Sequence, residues 1–300
     1  QQFNVTSYGM LTVAIISLEA FPGMWINAFI VGVLCIAWVK KKTLNSNEKI
    51  LLLLGCSRFW YLCIHWVYKF LSFIYPNYLH VPTMLQLVVF FQAFFNHCNL
   101  WFSACLCGFY CIKIANFRNS FFIYLKVKID RLVPWLLLGS GILALVVGIV
   151  AYDIADKPHC NSNSTGQGNF GTANIKMDKH FFPSFFLAGF EYAASFMAVI
   201  FSAVFLLFSL WRHKRMMQTN SMKDLSMEAH IRAMKSIFSF LVVYSINFVC
   251  LVLNMVYVTK KANQMTFLIL VFQYIFPGLH SLILVFSNPK LEKALLKILP

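Results

Sequence analysis

The chain has 300 residues, of which 60% are hydrophobic, 17% aromatic and only 12% charged, with a mean hydropathy of +0.70. Soluble domains carry about 25% charged residues, so a water-soluble globular protein is excluded. The formal net charge of +15 does not read as nucleic-acid binding, because it is divided among short loops with no folded domain to present it.

Seven apolar runs follow one another, over 9–39, 50–74, 83–112, 132–152, 183–211, 236–258 and 265–287. A hydrocarbon core of about 30 Å takes about 20 residues of helix. The chain 1–300 therefore reads as one all-α domain, a bundle of seven transmembrane helices. The first run is not a cleaved leader, since it lacks a basic n-region and a small-x-small cleavage site. Run two carries Arg58 inside the span, a costly position that marks function or an internal strut. The strut reading has Arg58 bonding runs one and seven, with Glu19 either in that network or solvated. Run three holds a polar cluster of Gln92, Asn96, His97 and Asn99. Asn96 and Asn99 lie three apart and share a face. The plain reading of such groups is hydrogen bonding between helices; the functional one is ligand contact.

Run five places Glu191 about 12 Å into its helix at 1.5 Å per residue, as a hydrated rim carboxylate or a counter-ion for cationic ligands. Asn247 and Gln273 are polar positions on runs six and seven that are expected to face the same cavity. The segment Arg212 to Lys235 is basic, and its Met227–Met234 stretch favours helix, so run six is expected to continue beyond the membrane. After Ser287-Asn288, Pro289 starts a helix, and 289–300 alternates basic and apolar residues as an amphipathic interfacial tail does.

Most of the 25 basic residues lie in the loops after runs one, three and five and in the tail, and none precedes Lys40. Basic residues concentrate on the cytoplasmic side, so the amino terminus is expected outside and the tail inside. The sequons at Asn4 and Asn163 then fall outside, where glycosylation is expected. Eight of the nine cysteines sit within spans, where a thiol acts as a small apolar group. Cys98 lies too deep in run three to reach Cys160, so no disulfide clamp is expected there. Neither a metal site nor a cofactor is implied, because no loop has Cys/His ligand spacing. No catalytic set, glycine loop or workable carboxylate pair points to an enzyme.

Local patterns then narrow the class. Run three ends in Phe109-Tyr110-Cys111-Ile112-Lys113-Ile114-Ala115-Asn116-Phe117. Run five closes with Ser209-Leu210-Trp211-Arg212-His213-Lys214-Arg215-Met216. Run six opens with Glu228-Ala229-His230-Ile231-Arg232-Ala233-Met234-Lys235 and continues through Ser239-Phe240-Leu241-Val242-Val243-Tyr244. Run seven carries His280-Ser281-Leu282-Ile283-Leu284 and Asn288-Pro289-Lys290-Leu291, and run two has Ser57-Arg58. In this order and depth the chain resembles the bitter taste (type 2) receptors along nearly its whole length.

The resemblance implies a G-protein-coupled receptor of the plasma membrane, with a small bitter compound bound from outside and a gustducin-like heterotrimeric G protein engaged inside. Gln92 stands where that family often has a stacking Trp, and Leu270 where a polar or acidic residue is common. The expected ligand site is Gln92, Asn96, His97, Asn99, Glu191, Asn247 and Gln273. The expected coupling surface is Lys113, Arg131, Trp211, His213, His230, Lys235 and Lys290, with membrane lipid headgroups also meeting the basic residues. Arg58, Tyr110, Tyr244, His280 and Ser281 form the expected activation network. A vomeronasal type 1-like chemoreceptor is the runner-up, followed by a small-molecule transporter or channel.

Overall fold

The structure is a computed structural model that describes residues 2–75, 82–115, 120–156, 181–219, 224–258 and 263–298. The helices are α1 (Gln2–Lys41), α2 (Ser46–Ile74), α3 (Pro82–Ile114), α4 (Ser120–Asp156), α5 (Phe181–Thr219), α6 (Asp224–Val258), α7 (Asn263–Ser287) and α8 (Pro289–Leu296). Every apolar run becomes one of the first seven. Most boundaries move outward: α1 begins at Gln2 rather than 9 and α4 at Ser120 rather than 132. Hydropathy detects the membrane-embedded length, whereas backbone hydrogen bonding carries a helix on into polar sequence.

Among the described residues, five helices are long and apolar enough by composition to cross a membrane, or six if α7 and the bent α8 count as one span. Their outward faces carry large apolar groups such as Trp135 (72% exposed) and Val39 (77%), as lipid contact requires. Helix α3 falls outside that set because Gln86, Gln92, Asn96, His97 and Asn99 lower its hydropathy; the protein buries Gln86, His97 and Asn99 instead of exposing them.

The α7–α8 turn is built locally. The Asn288 side chain accepts from the backbone N–H of Lys290 (3.0 Å) and of Leu291 (3.4 Å), Pro289 occupies the first turn, and α8 leaves at 97°. Leu291 and Leu295 anchor α8 against the core. At α2, the Asn45 N–H donates to the Glu48 carboxylate at 3.1 Å, satisfying a group that opens the helix.

Two cores divide the bundle. One draws on α1, α2, α3, α4, α7 and α8, through residues such as Ile30, Leu54, Leu106, Val133, Val285 and Leu291. The other joins α3, α5, α6 and α7 through Leu100, Val199, Phe240, Tyr244 and Phe276. Where α1 crosses α7, Gly23 meets Gly278, and a Cβ at Gly278 would lie 3.1 Å from the Gly23 Cα. Backbone there faces backbone, so neither side yields. Gly278→Ala is therefore expected to cost about 1–3 kcal/mol from overpacking. Gly139→Ala, whose Cβ meets nothing within 4 Å, should be neutral. Thermal unfolding of the purified variants checks the contrast.

Candidate ligand and coupling sites

The centre of the bundle is organised by Arg58, which is completely buried. Its Nε donates to Asn99 Oδ1 at 2.8 Å, Nη1 to Ser281 Oγ at 2.8 Å, and Nη2 to Ser103 Oγ at 3.2 Å and to His280 Nδ1. The Ser281 hydroxyl passes its proton to Asn27 Oδ1 at 2.7 Å, and the Asn27 amide donates to the Gly23 carbonyl at 2.7 Å. The network thus ties α2 directly to α3 and α7, and reaches α1 only through Ser281 and Asn27. The expected strut to run seven is present, and the direct bond expected to run one is replaced by this relay. Glu19 forms no hydrogen bond within the network. A guanidinium has only donors, so His280 Nδ1 must accept and the imidazole proton sits on Nε2. The tautomer follows from the partner alone.

Toward the other end from α8, α3 and α5 bring together Asn96, His97, Glu191 and Tyr192. His97 Nδ1 lies 2.6 Å from Glu191 Oε2, with both side chains 3% exposed. Glu191 is therefore not a hydrated rim group. The two atoms are in ion-pair contact although their alignment is poor for a hydrogen bond, and both carboxylate oxygens are without one. Tyr192 stacks on His97 at 5.3 Å and accepts from Asn96 Nδ2 at 3.1 Å.

Gln92 enters a second cluster. Its Nε2 lies 3.0 Å from His65 Nδ1 on α2, which the Tyr274 hydroxyl on α7 also approaches at 2.6 Å. The His65 and Tyr274 rings stack at 3.8 Å and Tyr61 extends the stack at 6.1 Å. Asn99 is directed to Arg58 and so is separated in role from Asn96. Gln273 accepts from Asn254 on α6 at 3.5 Å, and Asn247 is buried. Sequence reasoning passed over His65, Tyr274, Tyr192 and Asn27. His65 lies seven residues after Arg58, on the same helix face two turns on, which was the available signal.

At the α8 end, Lys113 pairs with Asp130 at 2.6 Å, tying α3 to α4, and Lys290 pairs with Glu48, tying α8 to α2. Arg131 is exposed, and Trp211 carries the Arg215 guanidinium 5.8 Å from its ring centre. A cavity of about 750 Å³ opens among α3, α5, α6 and α7, with Tyr110, Lys235, Phe240 and His280 on its walls. The side chains of His213, His230 and Asn4, and the whole of Asn163 and Cys160, lie outside the described residues. All eight described cysteines, Cys98 included, are free thiols.

A multi-pass helical bundle with a buried polar centre, an enclosed polar cluster at one end and a cleft at the other defines a receptor-like membrane protein. The family model described as Taste receptor protein (TAS2R) matches residues 5–300. The chain is 32% identical to taste receptor type 2 member 7 of Macaca mulatta over 288 residues, covering 94% of this chain and 90% of the relative. It is 31% identical to taste receptor type 2 member 9 of Papio hamadryas, covering 96% and 92%, and 28% identical to the human member 2, covering 97% and 96%. The chain belongs to the taste receptor type 2 family, and this replaces the vomeronasal alternative.

Asn99→Ala should strand the Arg58 Nε donor in the bundle interior. Hydrogen bonds to charged groups are worth about 1.5–3 kcal/mol, so folded receptor at the cell surface is expected to fall. Surface labelling and thermal unfolding check this, and agonist potency on the surviving receptor should be little changed.

Proposed function

We propose that this protein is a plasma-membrane receptor for small bitter compounds, with its amino terminus extracellular and α8 cytoplasmic, that activates a gustducin-like heterotrimeric G protein. The observation that carries the reading is the separation of two sites by one buried layer. Polar groups that suit a small ligand cluster at the extracellular end, a cleft opens at the cytoplasmic end, and the Arg58 network with its aromatic neighbours lies between. Family membership supplies the receptor class.

The ligand site is Gln92, Asn96, His97, Glu191, Asn247 and Gln273, with His65, Tyr192 and Tyr274 added by the geometry. A compound that favours an α6-outward conformation drives the shift through its differential affinity for that state. The partner enters the cleft walled by Tyr110, Lys235 and Phe240. Lys113, Arg131, Trp211, His213, His230 and Lys290 surround its mouth. The Arg58 network and the Lys113–Asp130 and Lys290–Glu48 pairs add charged ties to the apolar core of the pinned half. Helix α6 packs mainly through apolar and aromatic groups, with Ser236–Ser287 and Asn254–Gln273 as neutral polar ties to α7. Opening at the cytoplasmic end through α6 therefore breaks few strong contacts.

The deciding experiment is calcium dose–response in cells expressing the chain with a gustducin-type G protein. A cationic and a neutral bitter agonist are compared, alongside surface labelling. A neutral hydrogen bond is worth about 0.5–1.5 kcal/mol, or roughly two- to tenfold in potency. Gln92→Ala and Asn96→Ala should each right-shift the curves within that range at near-normal surface expression. A ligand cation competes with His97 for the Glu191 carboxylate, so Glu191→Gln should weaken the cationic agonist and spare the neutral one. Unchanged potency in all three variants would move the ligand site elsewhere.

Coupling and orientation have their own readouts. His213→Ala and His230→Ala should change efficacy or basal signalling more than agonist affinity, and normal signalling from both would make that segment structural only. A glycosidase-sensitive mobility shift lost in Asn163→Gln supports the extracellular assignment of that loop; cytoplasmic labelling of an amino-terminal tag overturns it.

A further inference from the structure

The Arg58 network leaves a charge unmatched. Each of the four groups that accept from the guanidinium is neutral: an amide, two hydroxyls and an imidazole. Among the described residues, the ion pairs are His97–Glu191, Lys113–Asp130 and Lys290–Glu48, and none includes Arg58. A cation in a membrane interior without a counter-charge is costly, and neutral hydrogen bonds remove only part of that cost.

Two donors beside it are also unmatched. With its proton fixed on Nε2, His280 presents an N–H that is fully buried and has no partner. The Tyr244 hydroxyl is 1% exposed and likewise unpartnered. Ser195, whose hydroxyl donates to the Tyr192 carbonyl at 3.1 Å, lies nearby but forms no hydrogen bond with it. Both groups belong to one aromatic cage. Phe240 lies 4.3 Å from His280 and 5.6 Å from Tyr244, and Phe276 lies 5.5 Å and 5.7 Å from the same two rings. His280 also lines the 750 Å³ cleft, as does Lys235. A positive field, orphaned donors and a route in from the α8 side thus meet at one place.

We propose that a small monovalent anion, with chloride the physiological candidate, binds in this cleft against His280 Nε2 and the Tyr244 hydroxyl. It neutralises Arg58 through the imidazole that the guanidinium polarises. An anion there accepts both orphaned donors and links α6 (Tyr244) to α7 (His280). It therefore stabilises the arrangement in which these helices are closed. A carboxylate delivered by a partner protein has the same chemistry, so the test uses the full chain alone.

The receptor is purified in nanodiscs of neutral lipid with no G protein present, and chloride is exchanged for gluconate at constant ionic strength. The expected result is a saturable rise in unfolding temperature with chloride and with bromide, and bromide density beside His280. Tyr244→Phe keeps the ring and removes one donor. It should raise half-saturating chloride by about tenfold or more, the worth of a hydrogen bond to a charged group. His280→Phe should abolish the response. Equal stability in chloride and gluconate overturns the proposal and assigns the orphaned donors to water. A chloride response undiminished in Tyr244→Phe overturns the location, and that variant decides the matter even where His280→Phe fails to fold.

Discussion

Everything in this bundle is arranged around the need to house one guanidinium away from water. Arg58 extends donors in a fixed planar fork, and each must find an acceptor at the right angle. The acceptors come from Asn99 and Ser103 on α3 and from His280 and Ser281 on α7, with Asn27 on α1 behind Ser281. Rotating any of these helices by a fraction of a turn would strand a charged donor. The close Gly23–Gly278 crossing follows the same demand. Without side chains at that point, α1 and α7 come close enough for Asn27 to reach Ser281.

This pinning decides where motion is cheap. The core that includes α1, α2, α4 and α8 contains no residue of α5 or α6. Those two helices are joined to each other by the Phe196–Phe248 stack at 3.9 Å. They meet α3 and α7 largely through aromatic and aliphatic contacts, with His97–Glu191, Asn96–Tyr192 and Asn254–Gln273 as polar ties. Apolar contacts are non-directional and weaken gradually as groups slide, whereas the Arg58 fork tolerates little displacement. The cleft at the α8 end lies where the pinned half meets the sliding half.

The membrane class and the seven runs were legible because length and apolarity are local properties. Ends were less so, as α4 shows: Ser120 to Arg131 is helical yet too basic to read as a span. The importance of Arg58 was legible from its cost alone. Its partners were not, because a sequence does not say which helix face turns inward. Asn99 looked like a ligand residue for want of that information, and it serves Arg58 instead. Depth alone left Glu191 either a hydrated rim carboxylate or a counter-ion, and the neighbouring α3 removes the first reading by supplying His97 and sealing it. Tyr192, next to Glu191 in sequence, carries no signal of its own, since nothing in a run of Phe and Tyr marks the ring that will stack on a histidine.

The two ends of the bundle are joined by a continuous series of contacts. Tyr192 stacks on His97 and holds Asn96; one turn along α5, Phe196 stacks on Phe248 and lies 6.3 Å from Tyr244 on α6. Tyr244 meets Phe240 and Phe276, and these meet His280 and thereby Arg58. Continuity alone is not coupling; a two-state element that both sites bias is required. In the proposed mechanism the α5–α6 seam is that element. Tyr192 and Phe196 are four residues apart on one helix face, so a ligand that displaces Tyr192 from Asn96 and His97 turns the same face that presents Phe196 to Phe248. The Phe196–Phe248 stack either follows or breaks, and α6 moves with it or is released. Because α7 is held by Arg58, Tyr244 then shifts against a fixed His280, and the cleft changes shape at the α8 end.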